Sequence, residues 1–134
     1  MSRSATVRTA FDRFNEKDFA GVLELFHLDA DHADLLRPGV VHHGRDAILQ
    51  LWTERFGAAS VRALVAEVLE MDHAVVAVVC YQPYDSDGSP VGSSMIAVQH
   101  FIFRDDHIAR IESTVIEDVS DLAKALFLRP DKGG

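Results

Sequence analysis

Cys80 is the only cysteine among 134 residues, so no disulfide can form within the chain. It lies in the apolar run Ala74 to Tyr81, where a thiol reads as a small buried hydrophobe rather than a nucleophile. The same count excludes a cysteine-rich zinc site. Cations are also scarce, with 13 Lys and Arg against 21 Asp and Glu and a formal net charge of −8. Without a basic stripe the chain cannot neutralise a phosphate backbone or an anionic bilayer, so neither nucleic acid nor membrane is an expected partner. No apolar stretch is long enough to span a bilayer and no secretory pattern opens the chain, which predicts a cytoplasmic location. The glycines form neither a G-x-x-x-x-G-K loop nor a G-x-G-x-x-G turn, and no Ser or Cys has the setting of a nucleophile. No cofactor is implied.

What is present reads as one domain over 1–134, with a loose tail from about 129 where Pro130 and two glycines end the pattern. The first half is helical in period. Val7, Phe11 and Phe14 share one face of a helix over 4–15, with Ser4 as a cap. Asn15-Glu16-Lys17-Asp18 breaks it, and Asp18 can cap a second helix over 18–28 carrying Phe19, Val22, Leu23 and Phe26. His27 to Arg37 is polar and irregular, and Pro38-Gly39 marks a turn. Ile48, Trp52 and Phe56 give a third helix over 45–57, with Gly57 as its stop.

The second half has the period of strands. Val61 to Met71, Ala74 to Gln82, Ser93 to Arg104 and His107 to Ile116 are separated by turn residues, including Asp87-Gly88. A short helix over 118–128 closes the pattern. Because Ala74 to Tyr81 is apolar on both faces, the sheet must bury both. The predicted architecture is α+β, with a cone-shaped, curved antiparallel sheet covered by three N-terminal helices and enclosing a pocket. Its outer face predicts a homodimer.

Four stretches carry a family resemblance: Asn15-Glu16-Lys17-Asp18 with Phe19 to Phe26, then Phe26-His27-Leu28-Asp29-Ala30, then Gly44-Arg45-Asp46-Ala47-Ile48, and finally Gln99-His100-Phe101-Ile102-Phe103 with the turn at Asp105-Asp106. Over about residues 4 to 120 the chain resembles the nuclear transport factor 2-like superfamily, which includes ketosteroid isomerases, SnoaL-like polyketide cyclases and many non-catalytic proteins. The resemblance implies Asp34 at the position of the isomerases' general base. It places Ala10 and Gln99 where they carry an oxyanion-binding Tyr and Asp, so one of the three positions keeps its chemistry. Asp118 lies near where some cyclases place an acid.

The residues themselves give further candidates. Asp34, beside Leu35-Leu36, could be a carboxylate poised in an apolar wall or a solvated loop residue. Gln99 shares a strand face with Ala97, Phe101 and Phe103, and could bond a ligand oxygen or a neighbouring side chain. His27, His32, His42 and His43 gather near Asp29, Asp31 and Asp34 without the i, i+4 spacing of a helical metal site, so no metal is expected. His32 or His42 could serve as acid or base beside Asp34. His100 should point away from Gln99, toward a structural or interface role. Arg110, Glu112 and Thr114 read as a solvated or subunit-contact face. The predicted catalytic set is Asp34, Gln99 and His32. Phe14, Trp52, Phe56, Ala97, Phe101, Ile111 and Val115 are predicted to line the pocket.

Three functions fit: an isomerase or cyclase removing a proton alpha to a carbonyl, a non-catalytic carrier or sensor of a small apolar or carbonyl-containing ligand, or a dimeric assembly domain. Whether Asp34 and Gln99 share one cavity discriminates among them.

Overall fold

Helix α1 runs Arg3–Asn15, and its cap is Ser2, whose hydroxyl accepts from the Ala5 N–H at 3.0 Å. Ser4, the expected cap, instead bonds the Glu70 carboxylate at 3.2 Å. The break falls at Lys17, which takes a left-handed φ of 60°. Asp18 then caps α2, Phe19–Leu23. A computed structural model describes residues 2–58, 60–72 and 74–117. The helix expected over 118–128 lies outside them, as does the Asp118 position.

Helix α2 stops well before residue 28. The stretch Phe26–Ala33 is a strand, β1, although its composition reads as a polar loop. Its partner is remote in sequence: the Ile108 N–H donates to the Leu25 carbonyl at 2.9 Å, and Phe26 and His32 pair with Ile108 and Ile111. Strand β2, Val41–His43, pairs antiparallel with β1 and leads through Gly44, at φ 87°, into α3, Arg45–Phe56. The remaining strands are β3 (Ser60–Glu70), β4 (Val75–Tyr84), β5 (Met95–Arg104) and β6 (His107–Ile116).

The six strands form one curved, unclosed sheet in the order β2-β1-β6-β5-β4-β3. It is mixed: β1 runs parallel to β6 and every other pairing is antiparallel. The α+β class predicted from sequence is the observed one, with two strands added at one end. The β5–β6 turn is tight because Asp105 and Asp106 both adopt positive φ, at 53° and 65°.

Alternation decides which residues meet the helices. Val75, Ala77, Val79 and Tyr81 of β4 are buried with Ala97 and Phe101 of β5 and Ile108 and Ile111 of β6. Against them pack Val7, Phe11 and Phe14 of α1 and Ile48, Leu51 and Trp52 of α3. Phe14 is central, with ring centroids of Phe56, Phe19, Tyr81 and Trp52 at 5.2, 5.7, 6.3 and 6.4 Å. The opposite sheet face holds a second cluster around Val76 and Val98, with Val78 and Ile116 against it.

Candidate ligand site

Between the helices and the concave sheet face lies a cavity with a volume of ≈ 580 Å³ including its open mouth. Because the mouth counts toward that volume, the enclosed part suits one small ring better than a fused polycycle. Helix α1 contributes Ala10, Phe11 and Phe14, and α3 contributes Leu51, Trp52, Arg55 and Phe56. From the sheet come Phe26, His32, Tyr81, Gln99, Phe101 and Ile111. The walls are largely apolar with a few polar groups, the usual character of a small-molecule site.

Asp34 does not line this cavity. It sits just past β1 with its carboxylate fully shielded from solvent. Oδ1 accepts from the N–H groups of Leu36 and Arg37 at 2.9 and 3.1 Å and from Arg55 Nη1 at 2.9 Å. Oδ2 accepts from Arg37 Nε, His42 Nε2 and Arg55 Nη2 at 3.1, 2.9 and 3.1 Å. Burial alone would raise the Asp34 carboxyl, but its bonds to Arg55, His42 and the Leu36 N–H outweigh burial and hold it well below the usual carboxylate range. A carboxylate so stabilised has little basicity, and no lone pair remains to meet a substrate. Asp34 ties β1, β2, the 34–40 loop and α3 together.

His32, two residues earlier, does face the cavity. Its Nδ1 lies 2.7 Å from the Ala33 carbonyl. A carbonyl only accepts, so Nδ1 carries the proton and Nε2 is left as an acceptor. No described residue bonds Nε2. Burial dominates its titration and lowers the pKa to about 4, against the bond to Ala33, with His42 and Arg55 lowering it further and Asp34 raising it. The imidazole is therefore neutral at pH 7, packed edge-on to Trp52 with centroids 5.6 Å apart.

Across the cavity the Tyr81 hydroxyl donates to Gln99 Oε1 at 2.6 Å, and Gln99 Nε2 donates to Ser113 Oγ at 3.1 Å. Burial pushes the Tyr81 phenol up, against the effect of the Gln99 bond, so it stays protonated. Gln99 thus keeps one amide N–H for a ligand at most.

His32, Phe14, Trp52, Phe56, Gln99, Phe101 and Ile111 come together around one space. Ala97 is buried in the core beneath it, and Val115, paired with Ala97, lies toward the sheet end and is 38% exposed. Sequence reasoning passed over Tyr81 and Arg55. Both carried a signal: Tyr81 continues the inward parity of Val75, Ala77 and Val79, and Arg55 follows Ile48, Leu51 and Trp52 on the buried stripe of α3.

The pattern of the SnoaL-like domain matches residues 7–111. The chain belongs to the SnoaL-like family. This domain is similar to a candidate polyketide cyclase from Sinorhizobium meliloti, at 28% identity over 82% of this chain and 94% of that one, with a TM-score of 0.67. An NTF2-like protein of unknown function from Burkholderia pseudomallei shares 20% identity over 96% and 100% of the two chains, with a TM-score of 0.70. A candidate ketosteroid isomerase from Kribbella flavida reaches a TM-score of 0.71 at 16% identity, over 87% of this chain and 78% of that one. The latter two show the fold alone. The curated proteins offer no match to this SnoaL-like chain. Among its described residues no group of His, Cys, Asp and Glu could hold a metal ion, and no helix is long and apolar enough to cross a membrane.

Proposed function

We propose that this SnoaL-like domain binds a small, mostly apolar ring compound through one polar oxygen. The observation that supports it is the uneven wall of the cavity: aromatic rings on most sides, with Arg55 and the unbonded Nε2 of His32 on the side where Asp34 locks α3 to β1. Apolar walls supply affinity and the few polar groups supply orientation. Trp52 is the only tryptophan and lines the cavity, so its fluorescence reports occupancy directly. Titration with benzyl alcohol and cyclohexanol should give saturable changes. Ala10→Leu, which fills part of the space, should abolish them. A linear, unsaturated response in the wild type rejects the reading.

A second reading is favoured by His32 itself. A neutral imidazole with an open Nε2 in a largely apolar cavity can accept a proton from carbon alpha to a carbonyl, with the Gln99 amide near the oxygen. Isomerase- or cyclase-type chemistry would then run through His32, with Asp34 holding the frame. Deuterium exchange at the alpha carbon of a bound ketone, lost in His32→Asn, tests this. Exchange unchanged in the variant removes His32 from the mechanism.

The domain is further proposed to pair with a second copy through the outer sheet face. Leu64 of β3 and Ile96 of β5, each 43% exposed, flank Cys80 of β4 there. Their pairing partners extend one apolar surface that a copy of itself would cover.

A further inference from the structure

The polar corner of the cavity carries charge of one sign. Among the described residues Arg55 is the single formally charged one in the lining, and no carboxylate of theirs lines it, although the chain as a whole is acidic at −8. The guanidinium spends one N–H of Nη1 and one of Nη2 on Asp34. Its other three donors have no partner among the described residues. Asp34 is shared, because Arg37 also bonds it through Nε and Nη2 at 3.1 Å. Two guanidiniums on one carboxylate leave the corner with a surplus of positive charge. Beside it His32 presents an acceptor that becomes a donor by taking one proton.

We propose that the ligand is a small ring carboxylic acid, held by its carboxylate between the Arg55 guanidinium and Nε2 of His32. This rests on the cavity being a binding site and names the class of compound it selects. The ring packs among Phe11, Phe14, Phe56 and Phe101. The carboxylate takes N–H donors from Arg55, and His32 takes one proton from solvent onto Nε2 as the anion arrives. The groups acting on that imidazole are the Ala33 carbonyl and Asp34 on its own segment, His42 from β2, and Arg55 with the Trp52 ring from α3; Ile111, its partner on β6, is apolar. Before a ligand arrives, burial, His42 and Arg55 keep it neutral. A carboxylate placed against Nε2 reverses that balance, since an adjacent opposite charge favours the protonated ring. Binding therefore consumes a proton and tightens as pH falls from 7.5 to 5.5.

The test uses the full chain, Trp52 fluorescence, and four probes: benzoate, cyclohexanecarboxylate, benzamide and benzyl alcohol. At pH 6 the two carboxylates should bind about 10-fold or more tightly than benzamide and benzyl alcohol, the effect of one charge-assisted hydrogen bond. Their affinity, unlike that of the neutral probes, should rise as pH is lowered. His32→Asn should flatten that dependence. Arg55→Lys, which keeps a cation opposite Asp34, should weaken the carboxylates several-fold more than it weakens benzyl alcohol. Equal affinity for benzoate and benzamide in the wild type overturns the carboxylate proposal while leaving the cavity a binding site. Failure of all four probes to saturate overturns both.

Discussion

Acid should loosen this protein through His32 before it reaches any carboxylate. In the unfolded chain a histidine takes its proton near 6.5, whereas the buried His32 does so only at about 4. Between these values the unfolded state binds more protons, so stability falls as pH is lowered through the window and is fully retained above it. A shift of this size amounts to about 2 kcal/mol lost by pH 5 and about 3 kcal/mol below pH 4, from 1.36 kcal/mol for each unit. Asp34 works in a lower window: its folded pKa is depressed, so its contribution is present above the unfolded value of 3.8 and is lost as pH falls further. His43, raised by its bond to Asp31, acts in the opposite sense, its contribution fading as pH rises through its folded value. It is exposed and screened, and it is common to the wild type and the variant. Urea unfolding at pH 7.5, 6.5, 5.5 and 4.5 should therefore be run on the wild type and on His32→Asn, whose amide can still donate to the Ala33 carbonyl. The wild type should lose stability steeply across the series and the variant much less. Quenching of Trp52 by the charged imidazole gives an independent midpoint, expected at about 4. Parallel slopes for the two proteins, or a quenching midpoint near 6.5, would refute the reasoning.

Asp34→Asn should destabilise by about 3–5 kcal/mol, because it leaves Arg55 partly buried without its counter-charge; denaturation with little change in midpoint counts against the anchoring role. Tyr81→Phe strips Gln99 Oε1 of its donor in a buried setting and should cost about 1–3 kcal/mol, read in the same assay. Gly44→Ala meets no close atom but forces φ 87° on a residue with a Cβ, so a loss of about 1–2 kcal/mol is expected from backbone strain alone. Ile96→Glu places a charge on the proposed dimer face without touching the cavity. Sedimentation should show a dimer for the wild type and a monomer for the variant, and a wild-type monomer at high micromolar concentration removes the dimer.

What the sequence could reveal follows from how local each signal is. The first and third helices were legible because Val7, Phe11 and Phe14, or Ile48 and Trp52, mark a face within a few turns. The four long strands were legible because alternation is equally local. Strand β1 was not, since its inward set is Phe26, Ala30 and His32 among aspartates, and besides the three-residue β2 its pairing is with β6 some 80 residues on. Missing that strand lengthened the second helix, because Phe26 fits either period. The same limit governed the site. Asp34 was legible as an acid of the right type beside apolar neighbours, but a carboxylate's chemistry is set by what surrounds it. Its decisive partner, Arg55, lies 21 positions away on another element. That contact turns a group expected to move protons into one that fixes α3 against β1. It also carries the guanidinium into the cavity wall, where His32 is the only histidine among the described lining residues. Kinship within a fold can therefore keep an acid at its position while giving it a framework role, with His32, two residues earlier, turned to the cavity instead.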